Sequence, residues 1–267
     1  MAKRVVPEEK RRRRRPTRSG QVLSEALIVD AALRLLREHG SSGLTARRLG
    51  LALDCDPSTL YRYFRGMDDL TLALGDALMG RALRGWRPTG EWRADLRAVG
   101  LRIHEAYVSH PQAAVLTASR VSGRANELAA DEAVLDVLRS AGFPPAETVR
   151  IYHAFIDTTL GFAALDAASL ALPGPARRAD EEMWHSTYAR LPASTHPRIA
   201  EVAPLLAARM VTSAYPTALD MLLDSAAARL GPPGGQGGPS RAADRPVSGP
   251  GRTADAVRGG APGPPSR

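Results

Sequence analysis

The sequence predicts an all-α chain, and three observations carry that reading. Apolar residues recur at helical spacing from Leu27 to Leu36, from Leu96 to Tyr107 and from Tyr152 to Ala163. Capping residues, prolines and glycines punctuate the intervals between these runs. No stretch of strand alternation competes.

In chain order, residues 1–20 come first, with Arg11, Arg12, Arg13, Arg14 and Arg15 in a row and almost nothing apolar to fold around. They read as a disordered basic arm. Ser24 is a cap for a first helix whose apolar set is Leu27, Ile28, Ala31, Ala32, Leu35 and Leu36, ended by Gly40. Thr45 caps a second helix with Leu49, Ala52 and Leu53 on one face, and Asp56 followed by Pro57 marks another start eleven residues on. Two helix starts that close leave a short helix and a tight corner, the format of a DNA-reading helix-turn-helix. Ser58, Thr59, Tyr61 and Arg62 on the second helix are small or hydrogen-bonding, while Leu60 and Phe64 face inward. After Gly66, Asp68 and Asp69 suit the positive start of a further helix through Leu70, Leu74, Ala77 and Leu78.

The body continues the helical pattern. A stripe of Leu96, Val99, Ile103, Ala106 and Tyr107 starts near Trp92 and stops at His110-Pro111. Helices are expected near 112–120, 125–141 and 145–171, the last breaking at Pro173-Gly174-Pro175. From Asp180 to Leu230 helices come in pieces, with Pro197, Pro204 and Pro216 expected at starts or breaks. Residues 231–267 are dominated by Gly, Pro, Ser and Arg and read as a disordered tail.

Thr45 and Leu49, the run Ser58-Thr59-Leu60-Tyr61-Arg62-Tyr63-Phe64, and Asp68-Asp69-Leu70 together resemble the N-terminal signature of the TetR family of transcriptional regulators, over about fifty residues. Three positions depart from it. Gly50 stands where the family usually has alanine, Asp54 where it has the corner glycine, and Met67 where it has lysine. Asp54 still suits a left-handed corner, whereas Gly50 is expected to cost about 1 kcal/mol of helix stability relative to alanine. Met67 removes a phosphate contact, and Asp68 and Asp69 beside it are expected to repel phosphate mildly.

The resemblance implies an N-terminal three-helix DNA-binding domain with a helix-turn-helix over 21–68. A helical ligand-binding and dimerisation domain would follow over 69–230. It places Tyr61 against the phosphate backbone and Ser58, Thr59 and Arg62 nearest the bases. Thr45, Arg47, Arg48 and Tyr63 complete the candidate DNA contacts, with a solvated helix face as the alternative for the two arginines. Residues His110 to Leu170 are also similar, more weakly, to the C-terminal domain of the tetracycline-repressor branch. Leu116 or Thr117 falls where that repressor has its metal-binding histidine, so tetracycline with magnesium is not implied. Homodimerisation is implied through helices near 145–171 and 216–230, and an inverted-repeat DNA operator and a small-molecule effector are the implied partners.

Charge placement agrees with a DNA partner. Of the formal +8, residues 1–20 hold +7 and residues 231–267 hold +3, leaving −2 on the residues between. Basicity therefore lives in the tails, although arginine outnumbers lysine 34 to 2 throughout, which points to a compositional bias. The single cysteine, Cys55, excludes an internal disulfide and a cysteine-rich metal site, and reads as a small corner hydrophobe. No apolar run is expected to approach a membrane span, and no apolar segment follows the basic N-terminus, so a cytoplasmic protein is expected.

In the body, His104, Tyr107, His153, Asp157 and Phe162 are polar or aromatic residues within otherwise apolar helices, and they are the candidate ligand-binding residues. His153 and Asp157, four apart, share a helix face and can orient a ligand, bind a metal or pair with each other. No zinc-hydrolase, nucleophile-elbow, phosphate-loop or Cys/His metal pattern occurs, so no enzymatic, cofactor or metal site is expected. The leading reading is a repressor released from its operator by a hydrophobic or amphipathic ligand. The alternative is a DNA-binding dimer whose C-terminal domain serves protein interaction without an effector.

Overall fold

A computed structural model describes residues 22–210 and 212–230. The arginine run Arg11–Arg15 and the tail 231–267 lie outside the described residues. Helix α1 spans Glu25–His39, capped by the Ser24 hydroxyl, which accepts from the Leu27 amide at 3.2 Å. Helix α2 spans Ala46–Ala52, and its Thr45 cap accepts from the Arg48 amide at 3.2 Å. The second helix of the pair is a six-residue 3₁₀ turn, Pro57–Arg62, rather than the expected α-helix. Helix α3, Met67–Leu83, leads into the body.

The body holds α4 (Trp92–Val108), α5 (Pro111–Thr117), α6 (Ala125–Ser140) and α7 (Pro145–Ala171). Helices α8 (Gly174–Ser186), α9 (Pro197–Arg209) and α10 (Tyr215–Ala227) complete it. The one buried cluster that contains Leu23 also contains Ala226, so head and body share a core across the expected boundary near residue 68.

The centre of the body is where α4, α7 and α10 meet. At Gly100 a Cβ would stand 2.5 Å from the Tyr215 hydroxyl and 3.1 Å from the Phe155 ring, so only glycine allows that approach. Tyr215 is fully buried, and its hydroxyl is satisfied by Thr159 Oγ1 at 2.8 Å. Asp95, also buried, accepts from the Thr89 and Gly90 amides and the Thr89 hydroxyl, holding the turn before α4.

Two expectations need correction. Helix α7 is long and apolar enough to cross a membrane by length and composition, with a mean hydropathy of 1.3 over its best window. Its Ile151, Phe155, Thr159, Ala163 and Ala167 are buried in the protein core, but only 22% of that window is buried, and Val149 and Leu165 stand exposed. Pro204 is neither start nor break but lies inside α9. It falls on the third turn of a helix that buries only Ala203 and Ala207, so little packing opposes the adjustment a proline needs there. Helix α8 buries none of its residues, and the Trp184 and Tyr188 rings pack against each other, tilted, at 4.3 Å instead of entering the core.

Candidate DNA-reading head and effector cavity

The corner of the head is set by three local features. Asp54 has φ 49, the only positive φ outside glycine among the described residues, so the aspartate does take the left-handed corner. The Cys55 amide donates to the Gly50 carbonyl at 2.9 Å, folding the chain back over α2. Asp56 then caps the reading turn by accepting from the Ser58 amide at 2.8 Å.

Gly50 is part of the same geometry, which overturns its expected cost. A Cβ there would meet the Cys55 carbonyl oxygen at 2.8 Å and the Pro57 ring at 3.0 Å. Absence of a side chain lets the corner sit this tightly. Cys55 is half-buried in that corner, and burial, followed by Asp56 and Asp54, pushes its thiol pKa up, away from thiolate character.

The 3₁₀ geometry sorts the reading residues, because side chains three apart eclipse. Leu60 and Tyr63 take the inward face: Leu60 is buried, and the Tyr63 hydroxyl donates to the Leu23 carbonyl at 2.8 Å. Tyr63 thereby struts the reading turn against the start of α1, while its half-buried ring also borders the open groove beside Tyr61 and Arg62. Ser58 and Tyr61 share an exposed face, while Thr59 and Arg62 share the third, Thr59 half-buried and Arg62 exposed. Thr45 is exposed, but its hydroxyl is used as the cap of α2.

Arg47 and Arg48 stand exposed in the first turn of α2. Cations at a helix N-terminus oppose the helix dipole, so neither is placed to stabilise its own helix. Neither makes an ion pair with another described residue, which leaves both open to an external anion.

The base of the head is tied to the body by two arginines that the sequence pattern did not single out. Arg120 forks onto Asp68, with Nη1 and Nη2 donating at 3.0 and 3.2 Å. Arg124 Nη2 donates to Asp69 Oδ1 at 2.6 Å, its guanidinium lies 5.8 Å from the Phe64 ring centre, and Nη1 is 3.7 Å from Glu25. The Arg65 amide also donates to Asp69, at 2.9 Å. These bonds hold both carboxyls below the usual carboxylate range, chiefly through Arg120 for Asp68 and through the Arg65 amide for Asp69. Asp68 and Asp69 are therefore charge-paired, which removes the reason to expect phosphate repulsion from them. An open groove of about 420 Å³ runs between this strap and Tyr61, Arg62 and Arg65.

The five candidate ligand residues do not converge. Tyr107 is buried beside a cavity of about 20 Å³ lined also by Met79, Thr117, Glu127 and Leu160, with its hydroxyl pKa raised by burial. His104 stacks on Tyr215 at 4.6 Å and pairs through Nε2 with Asp166 at 2.8 Å, and the Ser213 hydroxyl donates to the same carboxyl oxygen. Phe162 lies against the Tyr215 ring at 5.8 Å. His153 and Asp157 pair with each other at 3.1 Å on an exposed face of α7, 74% and 72% exposed. Among the described residues, no group of three or more His, Cys, Asp or Glu could hold a metal ion.

Comparison with known proteins agrees with this arrangement. Residues 28–74 match the family described as bacterial regulatory proteins, tetR family, and residues 85–229 match the tetracyclin repressor-like C-terminal domain. A HTH-type transcriptional regulator of Saccharopolyspora erythraea is 32% identical over 146 residues, which cover 54% of this chain and 61% of that protein. The match spans less than two thirds of the length of each curated relative found. Among solved structures, a possible TetR family transcriptional regulator from Streptomyces coelicolor A3(2) is 28% identical with a TM-score of 0.64, over 77% of this chain and all of that one. ActR of Streptomyces coelicolor, solved in complex with actinorhodin, shares the fold at 19% identity and a TM-score of 0.67, over 79% of this chain and 99% of that one. With both halves matched and a helix-turn-helix head on a helical body, the chain belongs to the TetR family of transcriptional regulators.

Proposed function

We propose that the chain is a homodimeric repressor that grips an inverted-repeat operator and releases it when a small amphipathic molecule enters the body. The carrying observation is the exposed face of α7 and α10, where Val149, Leu165 and Met221 are 61%, 66% and 68% exposed. Together with the exposed His153–Asp157 pair that lies between Val149 and Leu165 on α7, these side chains support an association surface of mixed apolar and charged character. Gly161, in the same stripe and with nothing within 4 Å of a Cβ, leaves room for a second helix to approach closely. One reading head per chain then becomes two, related by a twofold axis.

Within each head, Ser58, Thr59 and Arg62 are the proposed base-reading residues, and Tyr61, Arg47 and Arg48 the proposed phosphate contacts. The arm at Arg11–Arg15 adds charge along the backbone or in the minor groove. Such a regulator works in the cytoplasm.

The effector cavity is the one beside Tyr107. At about 20 Å³ it holds no more than a water, so effector entry must spread the surrounding helices. Thr117, Arg120 and Ser122 line it, and Arg120 also holds Asp68 at the base of the head. Spreading the cavity therefore pulls on the strap, and a ligand acts through its different affinity for the held and released states.

Selection of bound DNA from genomic fragments, followed by sizing of the complex, tests the reading. A dimer on a palindromic fragment is the expected outcome. A monomer on an asymmetric fragment, or no fragment enriched over random DNA, would refute it.

A further inference from the structure

A second cavity, of about 160 Å³, lies at the seam between α1 and the body, away from the reading turn. Its apolar wall comes from Leu33 and Leu36 of α1, Ala113 of α5, and Leu170 and Ala171 at the end of α7. Its polar rim includes Arg37 and His110.

The rim has a definite electrostatic character. Arg37 is exposed and makes no ion pair or hydrogen bond with another described residue. His110 Nε2 faces Arg81 Nη1 at 2.5 Å. A guanidinium has no lone pair to offer, so Nε2 must accept, and the imidazole is neutral with its proton on Nδ1. Burial, then Arg81 and Arg37, lower the His110 pKa and favour the same neutral form. Arg81 is also held by Asp30 at 2.9 Å, so that carboxylate is occupied. No residue that lines the cavity is acidic. The rim thus presents a cation and a neutral imidazole above an apolar wall.

We propose that the seam cavity is a second small-molecule site that takes a small amphipathic monoanion, with its tail on Leu33, Leu36, Ala113 and Leu170 and its carboxylate on Arg37. An apolar cavity of about 150 Å³ accommodates a benzene ring, so this one suits an arylcarboxylate or a short aliphatic acid. The site is distinct from the cavity beside Tyr107: it is walled by α1 of the head on one side and by α5 and α7 of the body on the other. An occupant fixes the angle between them. That consequence rests on the regulator reading, whereas the binding itself does not.

Calorimetry on the full chain without DNA, using benzoate and hexanoate as probes and benzyl alcohol and hexanol as neutral counterparts, tests the site. The carboxylates should bind and the alcohols should bind at least about tenfold more weakly, the loss of one charge-assisted contact. Arg37→Gln, at an exposed position, should weaken the carboxylates by a similar factor. Ala171→Phe, which puts a ring into the cavity from the end of α7, should abolish binding, with the thermal unfolding of both variants confirming the fold. Absence of carboxylate binding, equal binding of acids and alcohols, or unchanged binding in Arg37→Gln or in folded Ala171→Phe would each overturn the assignment. DNA selection fails or succeeds independently of these outcomes.

Discussion

Arg124 and Asp69 are 2.6 Å apart, and the pair ties the segment before α6 to the first turn of α3 at the foot of the reading head. Both side chains are about one quarter exposed, and the Arg65 amide and Phe64 ring order the partners further. Losing such a pair costs about 1 kcal/mol, the upper end for partly exposed pairs. Arg124→Ala should lower the unfolding temperature by about 2–4 °C and weaken operator binding by loosening the foot of the head. Unchanged values for both would show that the strap holds nothing.

The same pair predicts a pH dependence. The folded-state pKa of Asp69 is depressed, so its contribution is complete above the ordinary carboxylate value of 3.8 and is lost as pH falls through the lower folded value. Arg124 supplies the part of that depression that the Arg65 amide does not, so the stability gap between the parent protein and Arg124→Ala should be constant from neutral pH down to about 3.8 and shrink as pH falls from there through the folded value. Thermal unfolding of both proteins across the acid range checks this, and a gap that widens on acidification would contradict it.

Gly50→Ala should destabilise the head, reversing the sign that helix propensity alone gives. The added methyl would press on a backbone carbonyl at 2.8 Å, which cannot rotate away as a side-chain end could. Overpacking of this kind costs about 1–3 kcal/mol. A raised unfolding temperature would mean that the corner relaxes freely.

Tyr61 and Tyr63 should separate cleanly. Tyr63→Phe loses the bond to the Leu23 carbonyl and should cost about 1 kcal/mol of stability, with little direct effect on DNA contact. Tyr61→Ala, at an exposed position, should leave unfolding unchanged and weaken operator binding. Parallel unfolding and binding measurements on the two variants check the division, and exchanged behaviour would refute it.

Much of the head was legible from the sequence because its signals are local. Ser24, Thr45 and Asp56-Pro57 cap as their residue types demand, and Asp54 takes the positive φ that the corner needs. Choosing between 3₁₀ and α for Pro57–Arg62 was beyond such signals, since both satisfy the same cap and the same inward Leu60. Gly50 misled because propensity describes an isolated helix, whereas a close approach from the next turn decides the position. The strap was hidden for a different reason. Arg120 and Arg124 lie more than fifty residues from their partners, and nothing in the charge pattern of either segment announces the other. In the body, periodicity found the helices, but polarity within an apolar stripe did not separate His104, which serves packing beside Tyr215, from Tyr107, which faces a cavity.

Footprinting of the parent protein on its selected operator tests the central claim most directly. Two reading heads on a twofold axis predict two protected half-sites, symmetric about the centre and about 34–36 Å apart, one turn of DNA. Protection of one asymmetric half-site by a single chain would contradict the account.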